Sequence, residues 1–391
     1  MELARRAQAA ESEIAQMTRF LAQMDGLADI PGTIDLTFGN PHEMPLTGLV
    51  SAVREQVEPR SESWFGYKTN EDQARDAVAT GLQAETGLAF TPDDIAMTQG
   101  AFGAIELAFH LLTDPGDEVV IPEPGWFCYP PMLRAAAAVP VTAALDDSTF
   151  DLDLDAISAA LSPRTRIVVV NSPANPTGRI YPREQLEALA ALLEDESAHH
   201  GRRIWLLSDE PYRRIRFTGE GFTSPAAVYP WTMIDYSYGK ILLAPGQRLG
   251  YLALSPLMPD EVRREMQQAF TPLQLSIGWG FPDALMQYAV PALERVGIDL
   301  VELERKRDRT HGALTAAGFD LTFPEGTFYL WGRAPGGDGD AFTEQLAGRG
   351  VFVMPGRMFN RPGHFRISLT ATSESLERAV PVLIEAARVT T

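Results

Sequence analysis

Apolar positions Ile14, Met17, Leu21 and Met24 are spaced for one face of a helix over residues 2–24, with Gly26 and Pro31-Gly32 as its stop. Such a helix suits either an arm on a partner subunit or a helix on its own domain. Thr33–Phe38 reads as a short extended segment that leads into Gly39-Asn40-Pro41. Glu71–Thr86 returns to helical spacing. Between residues 90 and 255 short apolar runs alternate with helical patterns. Ile95–Thr98, Glu118–Ile121, Ile167–Val170, Ile204–Leu207 and Gly250–Leu254 predict buried strands; 100–112, 183–195 and 260–270 predict helices. That alternation implies a mostly parallel sheet covered by helices on both faces, with ligands at the carboxyl ends of its strands.

The last hundred residues have another rhythm. A charged helix is predicted over 293–316, then an aromatic segment Gly326–Trp331, a Gly/Pro turn at 335–339, a helix from Ala341, strands near 351–354 and 365–369, and a final helix over 374–388. The predicted architecture is therefore α/β. A large domain would span 46–290, and a smaller α+β domain would combine 1–45, as an N-terminal arm, with 291–391.

Charge and composition narrow the function. The net charge of −19 argues against nucleic acid or an anionic membrane as the main partner. No run approaches the ~18 apolar residues that span a bilayer. The start is polar, without an apolar h-region, and the one cysteine, Cys128, allows no intrachain disulfide. A cytoplasmic protein is expected. The six histidines are scattered, without metal-ligand spacing, so no metal site is expected.

Of the 33 basic residues only Lys68, Lys240 and Lys306 are lysines. A retained lysine among so many arginines points to work that needs a proton released, which a guanidinium does not do. Lys240 lies in Ser237-Tyr238-Gly239-Lys240, ahead of Ala244-Pro245-Gly246-Gln247-Arg248 and behind Asn175-Pro176-Thr177-Gly178 and Asp209-Glu210-Pro211-Tyr212. A Schiff-base lysine with an upstream carboxylate suits pyridoxal 5'-phosphate (PLP) chemistry. Lys240 would carry the cofactor, and once freed would act as general base and acid at the substrate Cα. Asp209 would keep the pyridine nitrogen protonated; Tyr212 and Asn175 would reach the ring hydroxyl oxygen. The phosphate would sit on the backbone N–H groups of Gly100-Ala101-Phe102 at a helix start, with Ser237 and Arg248 adding a hydroxyl and a cation. Trp126 would stack on the ring. Arg366 would grip a substrate carboxylate with its planar fork. Each has a plainer alternative: a helix cap for Asp209, a strand–helix turn for residues 100–103, core packing for Trp126, a surface ion pair for Arg366.

Taken in order, Gly39-Asn40-Pro41, Tyr67, Gly100-Ala101-Phe102, Trp126, Asn175-Pro176-Thr177-Gly178, Asp209-x-x-Tyr212, Ser237-x-x-Lys240, Arg248, Gly326-Thr327-Phe328-Tyr329 and Arg366 make the chain resemble the fold-type I, class I/II aminotransferases, the aspartate/aromatic superfamily. The resemblance implies a homodimer with active sites at the subunit interface, and Tyr67 reaching the partner's cofactor phosphate. It implies that the backbone at Gly39 and the side chains of Asn175 and Arg366 hold the substrate α-carboxylate. The implied reaction is ping-pong transfer of an amino group from an amino acid to a 2-oxo acid.

Departures bear on the substrate. Phe102 stands where some relatives that handle acidic substrates carry lysine, and residues 271–282 hold Trp279 and Phe281 but no arginine. A neutral, apolar or aromatic substrate is expected, with Arg357 as one arginine able to alter that. The same scaffold also serves carbon–sulfur β-lyases, ring-forming synthases and oxidative enzymes. A non-catalytic PLP-binding regulator would carry a DNA-binding domain ahead of Gly39, where only 38 residues stand.

Overall fold

The computed structural model describes residues 3–24, 30–217, 219 and 221–390. Glu2 and Gly26, read as part of the first helix and as one of its stops, lie outside them. Among the described residues the strands are β1 (Ile34–Leu36), β2 (Ile95–Thr98), β3 (Glu118–Glu123), β4 (Val139–Ala144), β5 (Thr165–Asn171), β6 (Trp205–Asp209), β7 (Thr232–Ser237), β8 (Gly250–Leu254), β9 (Tyr329–Arg333), β10 (Val351–Pro355) and β11 (His364–Ser368).

Seven of these form one sheet in the order β2-β8-β7-β6-β5-β3-β4. Strands β7, β6, β5, β3 and β4 run parallel, and β8 is antiparallel to both β7 and β2. The mostly parallel α/β sheet expected from the alternation is present. Apart from the edge strand β4, its strands are buried on both faces, which is why most of them read as continuous apolar runs. Val119, Ile167, Trp205, Leu207 and Met233 pack with Leu107 and Phe109 of helix Gly100–Leu112. Val120, Val168, Val170 and Leu206 pack with Leu186, Leu189 and Leu193 of helix Arg183–His200 on the other side.

The second sheet has the order β1-β10-β11-β9. In it β1 pairs in parallel with β10, so Ile34–Leu36 joins strands from the last third of the chain. Helix Ser373–Thr390 packs against helices Leu300–Ala316 and Gly339–Ala347 nearby. The N-terminal helix Arg5–Met24 packs instead on helix Tyr129–Ala135 beside the large sheet.

The structure departs from expectation at several elements. The helix expected over 293–316 begins at Leu300, and a separate helix, Ala284–Leu293, precedes it. The break follows from Asp299, whose carboxylate accepts from the N–H groups of Val301 and Glu302 as an N-cap. Strand β6 runs two residues past Leu207, so Asp209 is its last residue rather than a loop residue after it. Strands β4 and β7 and helix Thr47–Val57 were not predicted at all. Pro140 interrupts the first, and Asp235 breaks the apolar run of the second. No helix among the described residues is long and apolar enough to cross a membrane.

Candidate active site

The carboxyl ends of β5, β6 and β7 and the start of helix Gly100–Leu112 open on a cavity of about 1030 Å³. The smaller sheet closes it from the other side with Arg366 of β11 and Tyr329 of β9. Of the residues singled out in the sequence, Gly39, Ala101, Phe102, Trp126, Asn175, Asp209, Tyr212, Ser237, Lys240, Arg248 and Arg366 all line it. Gly100 lies at its edge against Arg248. Tyr67 does not line it; its ring is 88% exposed and packs on Phe281 at 4.7 Å between centroids.

Asp209 ends β6 at the floor of the cavity. Its Oδ2 accepts from the Tyr129 hydroxyl, and its Oδ1 is buried with no donor among the described residues. Burial pushes this carboxyl up, while the Tyr129 hydrogen bond, Asp235 and Lys240 act the other way. Asn171, the last residue of β5, ties neighbouring loops together. Its Nδ2 donates to the Asp209 carbonyl (2.9 Å), and its Oδ1 accepts from the Asn175 N–H (2.7 Å).

Asn175 in turn accepts through Oδ1 from Arg366 Nη1 at 2.8 Å. The other arm of the fork, Nη2, donates to the Thr37 carbonyl at 2.7 Å. The Arg366 guanidinium lies 3.9 Å above the Tyr329 ring centroid and is 2% exposed. It has no carboxylate partner among the described residues, and its Nε has no acceptor. The surface ion pair considered for Arg366 is therefore wrong. Burial works to raise the Tyr329 phenol, but Arg366 and Lys240 outweigh it and hold it below its ordinary value. The Tyr212 hydroxyl donates to Tyr329 at 3.3 Å. Glycine is required at residue 39 because a Cβ there would fall 2.3 Å from the Phe328 ring.

Lys240 follows β7 in the short helix Tyr238–Ile241, its Nζ 5.6 Å from the Tyr212 ring centroid. Ser237, the last residue of β7, is buried at the N-cap of that helix. Arg248 donates to the carbonyls of Pro245 (2.6 Å) and Gln99 (3.2 Å). Gly100 adopts φ +74°, and a Cβ there would stand 2.6 Å from Arg248 Nη2. The bare backbone thus lets a cation and a helix N-terminus meet at one spot, an arrangement suited to a phosphate. Trp126 is half-buried, edge-on to Phe102 (4.8 Å) and Tyr129 (5.2 Å).

This donor set fits PLP. The Asp209 carboxyl and the Lys240 amine both line the cavity, and a glycine–arginine cradle lies at one end. The buried Arg366 cation, without a counter-anion among the described residues, awaits a carboxylate. Sequence reasoning missed Tyr129, Asn171 and Tyr329 as parts of the site. Tyr329 closes the Gly326-Thr327-Phe328-Tyr329 segment and Tyr129 follows Trp126 by three residues, but neither spacing shows where a hydroxyl points. Arg357 lies outside the cavity and is paired with Asp340.

Similarity to known proteins extends over most of the chain. The sequence model of the family aminotransferase class I and II matches residues 31–383. The chain is 35% identical over 320 residues to the aspartate/prephenate aminotransferase of Thermus thermophilus, covering 79% of each. It is 31% identical to the aspartate aminotransferase of Geobacillus stearothermophilus, covering 78% of this chain and 79% of the relative. Among solved structures, an amino transferase from Eubacterium rectale superposes with a TM-score of 0.87 at 27% identity, over 98% of this chain and 96% of that one. The aspartate aminotransferase of Thermus thermophilus with maleate gives 0.78 at 30% identity, over 99% and 100%. The chain belongs to the class I and II aminotransferases, and is a PLP-dependent transaminase of fold type I.

Proposed function

We propose that this transaminase takes its amino group from an L-amino acid with an apolar or aromatic side chain and passes it to a 2-oxo acid in a ping-pong sequence. The lining of the cavity carries this reading. Phe38, Phe102, Trp126 and Trp279 face it, and its cations among the described residues are Lys240, Arg248 and Arg366. Glu11 and Glu106 also face it. A dicarboxylic substrate would bring a second carboxylate to a wall with no further cation, and an unpaired charge there is costly. Several relatives are named for aspartate and prephenate, so this specificity would set the chain apart from them.

Within that reading each side chain has a physical task. Arg366, held flat by Asn175 and Thr37, presents its fork to the α-carboxylate common to both substrates. The Gly39 N–H and the Asn175 amide supply further donors beside it. When bound, PLP supplies a protonated ring able to accept the electron pair left at the substrate Cα. Asp209 holds the proton on the ring nitrogen. Lys240 Nζ takes the proton from Cα and returns it one position away. Trp126, half-buried at the cavity wall, would be the flat partner of the ring. Arg248, Ser237 and the N–H groups from Gly100 to Phe102 would hold the phosphate.

The unit of function is taken to be a homodimer. Tyr67, Phe65 and Phe281 stay exposed in the single chain, and a second copy laid over them would bring Tyr67 to the partner's phosphate cradle. Each subunit is read as a large domain, 46–290, and a smaller one, 1–45 with 291–391.

The test is visible absorption of the PLP-loaded protein titrated with single amino acids. Reversible bleaching by phenylalanine, tyrosine, leucine or methionine, restored by 2-oxo acids, is expected at concentrations at least about tenfold lower than for aspartate or glutamate. A preference for aspartate or glutamate by that factor would overturn the specificity. Release of ammonia and pyruvate without return of the band would replace transfer by elimination.

A further inference from the structure

Of the buried acids that the tasks above leave unused, Asp235 is the one, among the described residues, with neither carboxyl oxygen hydrogen-bonded. Asp235 lies on β7 in direct register with Asp209 on β6. Adjacent strands are about 4.8 Å apart, and side chains in register share a face. Trp205 and Leu207 on β6, and Met233 on β7, all turn toward helix Gly100–Leu112. Asp209 and Asp235 continue those two files, so their carboxyls stand side by side. Asp209 is 3% exposed and lines the cavity; Asp235 is 0% exposed and does not. The second acid sits behind the first, out of reach of any ligand.

Among the described residues nothing around Asp235 donates a hydrogen bond to its carboxyl. Its register partner on β8 is Leu252. The ionisable groups that face it are the acids Asp209 and Glu210 and the phenol of Tyr129. Glu210 has its own partners in Ser208, Ser224 and Arg213. Lys240 acts on Asp209, and among the described residues no cation is one of the groups that act on Asp235. Were both acids ionised, Asp209 Oδ1 and both Asp235 oxygens would be buried without a donor. Two anions in contact in a dry interior do not both stay ionised. A single proton removes both problems: an Asp235 O–H donates to Asp209, satisfying an oxygen on each side.

We propose that Asp209 and Asp235 share one proton, carried by Asp235 at neutral pH, and that Asp235 is the positioning residue that presents Asp209 to the cavity as a single, oriented anion. Burial, Asp209 and Glu210 all push the Asp235 carboxyl up, and the same hydrogen bond works to hold Asp209 ionised. Together with Tyr129, Asp235 gives Asp209 two donors from behind. A carboxylate stabilised in this way is less inclined to take a proton from a bound pyridine nitrogen. That consequence rests on Asp209 facing the ring nitrogen; the shared proton rests on the two side chains alone.

The test uses the holoenzyme and two substitutions. Asp235→Asn keeps shape and a donor but carries no charge, so it mimics a protonated Asp235. Asp235→Val removes the donor. Infrared difference spectra at neutral pH are expected to show a protonated-carboxyl carbonyl band in the wild type that Asp235→Asn lacks. In pH titrations of the visible cofactor band, the wild-type midpoint is expected to be kept by Asp235→Asn and moved by about tenfold in proton affinity by Asp235→Val. Absence of the infrared difference overturns the proposal, as does a tenfold or larger shift in Asp235→Asn, the signature of removing a real negative charge. Should Asp235→Val fail to fold, the infrared band and the Asp235→Asn midpoint decide alone. A band lost in Asp235→Asn, with a visible titration indifferent to Asp209→Asn, would keep the shared proton and sink the placement of Asp209 at the ring.

Discussion

Arg366 is a buried cation that no carboxylate among the described residues neutralises, and replacing it tests the substrate-binding reading directly. Its fork makes two hydrogen bonds, to Asn175 Oδ1 at 2.8 Å and to the Thr37 carbonyl at 2.7 Å. Burial depresses its basicity, with the Tyr329 and Tyr212 phenols acting the other way. A carboxylate arriving in the cavity would supply the missing counter-charge and accept from the fork. Arg366→Lys keeps the charge but replaces a planar fork by a point donor. At least one charge-assisted hydrogen bond to the substrate is lost, about 1.5–3 kcal/mol, or roughly 10- to 150-fold in affinity. Because the α-carboxylate is common to amino acid and 2-oxo acid, both Michaelis constants should rise together, with a smaller change in kcat.

Stability separates this role from a structural one. Arg366→Met would leave the acceptors on Asn175 and Thr37 without their donor, a cost of about 1–3 kcal/mol. It would also remove a buried cation that has no counter-charge, a relief of about 1–4 kcal/mol. The net change in unfolding free energy is therefore expected to stay within about 3 kcal/mol of the wild type. Denaturant unfolding with and without a monocarboxylic substrate analogue measures both sides: the analogue should stabilise the wild type and leave Arg366→Met unmoved. Unchanged Michaelis constants in Arg366→Lys would remove the residue from the substrate site. A loss above about 4 kcal/mol in Arg366→Met would make it a structural residue instead.

Lys240→Ala is expected to abolish multiple turnover, measured by coupled assay at saturating PLP; sustained turnover would exclude Lys240 as the cofactor lysine. Asp209→Asn should lower kcat at least about a hundredfold while unfolding free energy changes by no more than about 2 kcal/mol; comparable losses in both would make Asp209 structural. Gly100→Ala forces a left-handed backbone on a residue with a Cβ and pushes Arg248 aside, so PLP affinity should fall and stability drop by about 1–2 kcal/mol; unaltered PLP affinity would move the phosphate elsewhere. His364, stacked on Trp331 at 5.0 Å, is held down to about 4 by burial and by Arg333 and Arg361. The unfolded chain binds that proton first, so as pH falls from about 6.5 to about 4 this histidine should cost the wild type stability, screened by partial exposure to about 1–2 kcal/mol, and His364→Gln should lose less by that amount.

What the sequence made legible follows from where physics acts locally. Lys240, Asp209 and the Gly100-Ala101-Phe102 turn are local signals, and strand–helix alternation is enough to predict that the carboxyl ends of β5 and β6 converge on the helix starts. The mostly parallel sheet was predicted on that basis and is present. Strand β7 was invisible because Asp235 breaks its apolar run, and β4 because Pro140 interrupts it. The same acid that hid the strand is explained only by a register with Asp209 that no spacing along the chain encodes. Tyr129 is 80 residues from the carboxylate it donates to, and Arg366 lies 191 residues from Asn175. Local patterns thus pointed to the groups that would meet a ligand. The residues that aim those groups are placed by packing and register, so their identity in the sequence, an acid or a phenol inside an apolar file, reads as an irregularity until the fold supplies its partner.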